Sequence, residues 1–221
     1  PNQYERQVVM RLNRMNVRLH SGMRIAVPED LTNTDLMDIS PFPHEIDPPE
    51  EKVVVIDPGS LAWAAYGPDG DLIHWGPISG GKGFCADVGE RCRTTIGKYY
   101  VYSKHGPECV SKKFPIGRGG APMPHCMFFK GGYAMHASAV VPGYHASHGC
   151  VRMFKEDAKW LNEEFINLPY DEVENPDAQP YVRNYVTFSE EESAQIKSIA
   201  KSLQTTTSNF MLSIYAVFIN Q

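Results

Sequence analysis

Histidine and cysteine crowd into one short stretch, Met135-His136-Ala137-Ser138 followed by Gly143-Tyr144-His145-Ala146-Ser147-His148-Gly149-Cys150-Val151-Arg152. A free thiol is mostly protonated at neutral pH, because its pKa lies near ~8.5. It becomes a nucleophile when an imidazole takes its proton or a helix N-terminus stabilises the thiolate. Cys150 follows three histidines within fourteen residues, and an apolar repeat predicts a helix a few residues after it. Gly149 lets backbone approach a substrate closely, or takes a dihedral that a Cβ forbids. Adjacent N–H groups at such a turn suit a tetrahedral oxyanion. Arg152 offers a fixed cation for a carboxylate.

Two blander chemistries fit the same residues. His136, His148 and Cys150 form a possible zinc set, although His148 and Cys150 lie closer than the usual ligand pairs. Alternatively, Cys150 is a small buried hydrophobe among unrelated histidines. His145 reads as a loop residue. Trp63, Trp75, Tyr99, Tyr100 and Tyr102 are expected to pack the core, and Tyr133 and Tyr144 to line a cleft.

Four segments would hold these groups in place. In residues 1–40, Val8, Leu12 and Met15 fall at helical spacing, and His20 to Pro28 reads as a turn and a short strand. Residues 41–52 carry Pro41-Phe42-Pro43 and Asp47-Pro48-Pro49, an extended acidic connector. From Val53 the period becomes that of strands: Val53 to Ile56, then Leu61 to Tyr66. Pro68-Asp69-Gly70 turns the chain into Asp71 to Trp75 as a hairpin. Tyr99 to Tyr102 and Tyr133 to His136 are further strand candidates. Phe154, Ala158, Leu161 and Phe165 mark one face of a helix. Tyr181 to Phe188 reads as a last strand, and Ser189-Glu190-Glu191-Glu192 as a capping box opening a C-terminal helix.

The chain has 221 residues, 42 % of them hydrophobic and 21 % charged, so most of it is expected to fold. A net charge of −5 with no long basic stretch argues against a nucleic-acid partner. The longest apolar run, Phe210 to Ile219, is too short to span a bilayer. No basic-then-apolar leader opens the sequence, as a mature or trimmed chain would also show. Five cysteines suggest even pairing plus one free thiol. Cys85, Cys92, Cys109 and Cys126 lie in loop-like stretches, whereas Cys150 stands apart. If the four are bridged, the compartment is oxidising.

Ser147-His148-Gly149-Cys150-Val151-Arg152, with His136 upstream, resembles the signature of the L,D-transpeptidases, YkuD-type cysteine enzymes of bacterial peptidoglycan. Gly80-Gly81-Lys82, Thr94-Thr95-Ile96-Gly97, Gly119-Gly120-Ala121-Pro122-Met123-Pro124 and Phe128-Phe129 resemble further family segments. Thr95 stands where a proline is usual and Ala137 where a glycine is common. The resemblance implies a mainly β, sandwich-like catalytic domain over 53–188, with a small N-terminal α/β appendage over 1–40 and a C-terminal helix and tail over 189–221. That appendage faintly resembles half of a LysM glycan-binding module.

By the same resemblance, Cys150 is the nucleophile and His136 its general base, oriented by the Ala137 carbonyl. His148, Gly149 and Cys150 frame the oxyanion hole, with Ser147 as support. Arg152, Tyr133 and Tyr144 contact substrate. Donor and acceptor would be peptidoglycan tetrapeptide stems, with an outer-membrane lipoprotein lysine as another acceptor, and the enzyme would be a carbapenem target. No cofactor or metal is required. Water as acceptor would make a hydrolase of the same site, and an idle cleft would make a wall-binding protein. An exported, periplasmic or cell-envelope enzyme accounts for the even cysteine set. Of the three possible connectivities, Cys85–Cys92 with Cys109–Cys126 is preferred.

Overall fold

The computed structural model describes residues 2–113, 121–168 and 190–202. The chain divides into two compact units, 1–174 and 175–221. Within the second, α3 spans Glu190–Ser202. The expected strand at 181–188 and the Ser189 cap lie outside the described residues.

In the first unit, Asn2 and Glu5 form a capping box that opens α1, Gln3–Leu12. Seven strands follow: β1 Val53–Asp57, β2 Ala62–Tyr66, β3 Leu72–Ser79, β4 Ser103–Lys104, β5 Met127–Lys130, β6 Tyr133–Ala137 and β7 Val151–Met153. After β7 come α2, Lys155–Trp160, and a π-helical turn, Leu161–Phe165. The fold is mainly β, a curled sheet in the order β1-β2-β3-β7-β6-β5-β4. Every neighbouring pair is antiparallel except β6 and β7.

Strand periodicity located β1, β2 and β6 closely. The β2–β3 turn needs Gly70, whose φ is +94° and whose Cβ would stand 2.2 Å from Ile46 O. The proline-rich segment at 41–52 lies along this hairpin, with Leu72 N donating to His44 O and Tyr66 Oη to Pro43 O. Phe42 and Ile46 pack on Tyr66 and Trp75 there. Three expected features differ. Residues 24–28 form no strand, because Asn13 engages the Ala26 N–H and carbonyl through its own side chain. Residues 99–102 are likewise outside any strand, and pairing begins at Ser103. Tyr100 and Tyr102 are 67 % and 52 % exposed, in contrast to Trp63 and Trp75 in the core. The helix expected a few residues after Cys150 is α2, which begins at Lys155 with β7 between it and the thiol.

The main core joins Trp63, Ile78, Met127, Met153, Leu161 and Phe165. Phe154, Ala158, Leu161 and Phe165 are all buried, as their spacing required. α1 is fixed to this body by Arg11, whose Nη2 meets Asp157 Oδ1 at 2.5 Å with both side chains almost fully buried. Nη1 of Arg11 donates to Trp75 O and to Asp157 Oδ2, and His74 Nε2 lies 3.3 Å from the same carboxylate. Burial pushes the Asp157 carboxyl up, but His74 and Arg11 outweigh it and hold the pKa below the usual value. A Cβ on Gly76 would stand 2.1 Å from Asp157 Oδ2, so the strand must thin to backbone there.

Removing one partner of a buried pair strands the other. Asp157→Ala is therefore expected to lower stability by about 3–5 kcal/mol, read by urea denaturation.

Candidate active site

β6 and β7 run in parallel with His136 opposite Arg152 and Met135 opposite Val151. Side chains alternate along a strand, so Ala134 and His136 share a face, and the same face takes Cys150 and Arg152. The imidazole thus sits diagonally across from the thiol on that face. Both residues line a broad cleft of about 1770 Å³, together with Tyr133, Ser147, His148 and Arg152.

His136 is buried, and its Nδ1 donates to Ala137 O at 2.8 Å. A carbonyl only accepts, so Nδ1 carries the proton and Nε2 is left with its lone pair. Burial lowers the His136 pKa to about 4, with Arg152 adding to that shift and the Ala137 bond opposing it. Cys150 is the free cysteine among the described residues, and its Sγ lies 3.7 Å from Gly132 O. Burial pushes its thiol up, against the opposing pulls of the Ala134 N–H and Arg152. At neutral pH the resting pair is therefore a neutral imidazole beside a neutral thiol.

The turn before Cys150 is held by its own side chains. Ser147 Oγ donates to Cys150 O at 2.5 Å and accepts from Gly149 N at 3.0 Å. That second bond commits the Gly149 N–H, so Gly149 does not offer it to an oxyanion as expected. Its contribution is steric: φ is +126°, and a Cβ would stand 2.6 Å from the Tyr133 ring. Tyr133 thereby walls the cleft beside the thiol. Tyr144 is 63 % exposed and accepts from Ser79 Oγ through its carbonyl. His145 Nδ1 accepts from Gly80 N, as a loop residue would. Arg152 is half-buried, and its guanidinium makes no hydrogen bond or ion pair among the described residues. Two sets of contacts were not legible in the sequence. Thr94 Oγ1 accepts from Gly81 N and donates to Gly149 O, strapping the end of β3 to the cysteine turn. His148 turns its Nε2 to Asp87 Oδ2 at 2.7 Å.

Cys85 pairs with Cys92 and Cys109 with Cys126. Both bridged loops contribute to the cleft walls. Among the described residues, only Cys85, Asp87 and His148 bring ligand-type atoms within 4.8 Å of one another. The Cys85 sulfur is spent in its disulfide, and the zinc set of His136, His148 and Cys150 does not converge.

A thiol and an oriented, unprotonated imidazole thus lie on adjacent strands, with the Arg152 guanidinium on the same face, groups of the kind that acyl transfer through cysteine uses. The model of the YkuD family, the L,D-transpeptidase catalytic domain, matches residues 51–165, and the chain belongs to that family. Solved structures similar to it include an L,D-transpeptidase from Xylanimonas cellulosilytica, 31 % identical over 52 % of this chain and 55 % of that one, with a TM-score of 0.45. Others come from Stackebrandtia nassauensis, at 24 % identity over 51 % and 50 % with a TM-score of 0.40, and Mycobacterium smegmatis, at 20 % over 52 % and 54 % with 0.42. These matches span about half the length of the chains compared. Comparison with curated proteins gives no match.

Two outcomes follow for the site. Thiol titration of the denatured, unreduced chain is expected to count one thiol, lost in Cys150→Ala. The His136 pKa also makes stability depend on pH. The unfolded imidazole takes its proton near ~6.5, but the folded one only at about 4. Between these values unfolding takes up a proton, so stability falls as pH falls. Wild type is expected to lose about 3 kcal/mol more than His136→Asn from pH 6.5 to 4, measured by denaturant unfolding.

Proposed function

We propose that this chain is an L,D-transpeptidase that acts on peptidoglycan stem peptides through a thioester on Cys150. The observation that carries this reading is the shared face of β6 and β7, where His136 is held with Nε2 as proton acceptor beside the thiol. Cys150 Sγ attacks the carbonyl after the third, diamino-acid residue of a tetrapeptide stem while His136 Nε2 takes the thiol proton. Because thiol and imidazole are both neutral at rest, that transfer accompanies the attack. The protonated imidazole then gives its proton to the leaving amine of the terminal D-alanine.

A side-chain amine of a neighbouring stem attacks the thioester, the new amide forms and the thiol is restored. The product is a 3→3 cross-link; a lipoprotein lysine as acceptor would give an attached lipoprotein instead. The Ala137 carbonyl stabilises the imidazolium as it forms, in the place of a third triad member. Backbone N–H groups of the turn at His148 and Cys150, held by Ser147, face the developing oxyanion. Arg152, half-buried and without a hydrogen bond or ion pair among the described residues, takes a substrate carboxylate, and Tyr133 and Tyr144 bound the stem. Thiol, imidazole and N–H donors supply this chemistry without a cofactor. Two disulfides favour an exported enzyme of the periplasm or cell envelope.

Incubation with a diaminopimelate-containing tetrapeptide muropeptide is read by mass spectrometry. Wild type is expected to make dimers lacking one D-alanine, and Cys150→Ala none. Tripeptide without dimers would replace transfer by hydrolysis, and unchanged muropeptide that still binds wild type would replace catalysis by wall binding.

A further inference from the structure

Asp87 has no part in the chemistry above, yet it holds the residue two before the nucleophile. It sits in a loop closed by Cys85–Cys92 and drawn tight by Cys85 N donating to Glu90 O and Gly89 N to Cys85 O. Gly89, at φ +70°, supplies the backbone reversal. The base of this loop rests directly on the cysteine turn. Cys92 Sγ lies 3.2 Å from Lys82 O and 3.9 Å from Ser147 O. A Cβ on Gly81 would stand 1.9 Å from Cys92 O, so backbone meets backbone there. Gly81 pairs with Ser147, and Lys82 N donates to Ser147 O at 3.0 Å. From this platform Asp87 Oδ2 accepts from His148 Nε2 at 2.7 Å. His148 lies between Ser147, which bonds both Gly149 N and Cys150 O, and Gly149 with its left-handed φ.

We propose that Asp87 is a positioning residue for the catalytic turn, clamped against His148 by the Cys85–Cys92 bridge. The carboxylate fixes the His148 ring, and the ring fixes the turn that aims Cys150 into the cleft. The bridge supplies the fixed base without which a side chain on an exposed loop would not stay engaged. A displacement of an ångström at a reacting atom costs up to about a hundredfold in rate. Loss of the clamp therefore shows in the reactivity of Cys150 rather than in global stability. This inference rests on Cys150 being the nucleophile, as proposed above.

The test uses the free thiol directly, so it does not depend on the donor being identified correctly. Alkylation of Cys150 by iodoacetamide and its acylation by the tetrapeptide muropeptide are measured in wild type, Asp87→Ala, Asp87→Asn and the double variant Cys85→Ser/Cys92→Ser. Asp87→Ala is expected to slow both reactions about tenfold with its melting temperature unchanged. Asp87→Asn keeps an acceptor for His148 Nε2 and is expected to recover most of that loss. Adding Asp87→Ala to the double variant is expected to slow the reactions no further, since one clamp is lost only once. The control, Cys109→Ser/Cys126→Ser, is expected to leave the Asp87→Ala effect in place. Wild-type alkylation in Asp87→Ala, or full multiplication of its effect with that of the Cys85/Cys92 variant, would overturn the clamp. Failure of wild type to acylate while the alkylation pattern holds would count against the donor and leave the clamp standing.

Discussion

Everything at the site depends on the parallel pairing of β6 and β7. Two strands running the same way cannot be joined by a tight turn, so the chain must cross over between them. Residues 138–150 make that crossing, and their last four, Ser147 to Cys150, deliver the thiol to the start of β7. The register then does the rest: with His136 opposite Arg152, the imidazole, guanidinium and thiol share one face. A slip of one residue would turn Cys150 and Arg152 to the opposite face. Burial in the core on either side, at Met135 and Val151, makes that slip costly.

Much of the cleft wall is irregular backbone, which a small core does not hold well by packing alone. The two disulfides close loops of sequence separation 7 and 17, and loops of this size gain roughly 2–3 kcal/mol each from cross-linking. Away from the cleft, Arg11 and Asp157 bind α1 to β3 and α2 through a buried ion pair. Such a pair adds little net stability over apolar packing but penalises any arrangement that separates its partners. In this protein it specifies where the N-terminal segment must sit.

The legible part of the fold was the part written in local pattern. The β-branched run at Val53 to Ile56, the Pro68-Asp69-Gly70 turn and the four apolar positions from Phe154 to Phe165 all encode their elements within a few residues. β4 and β7, of two and three residues, are too short to show a period, and β7 hides directly behind the cysteine motif. Tyr100 and Tyr102 misled because aromatic residues suggest burial, whereas here they stand on the surface. Cys150 and His136 stood out because a nucleophile and a base would need such residue types, and resemblance supplied the proposed pairing. Asp87 with His148 and Arg11 with Asp157 lie 61 and 146 residues apart, and no spacing in the chain announces them. The disulfide connectivity seen in the structure was one of three that the cysteine count allowed.

The proposed thioester, made on the β6–β7 face from a neutral thiol and a neutral imidazole, is best tested by the intact mass of the protein after acid quench of a tetrapeptide donor reaction, with peptide mapping of any adduct. A tripeptide acyl group on Cys150 is expected, with one D-alanine released per adduct, and no adduct in Cys150→Ala. An adduct at another residue, or donor turnover by Cys150→Ala, would contradict it.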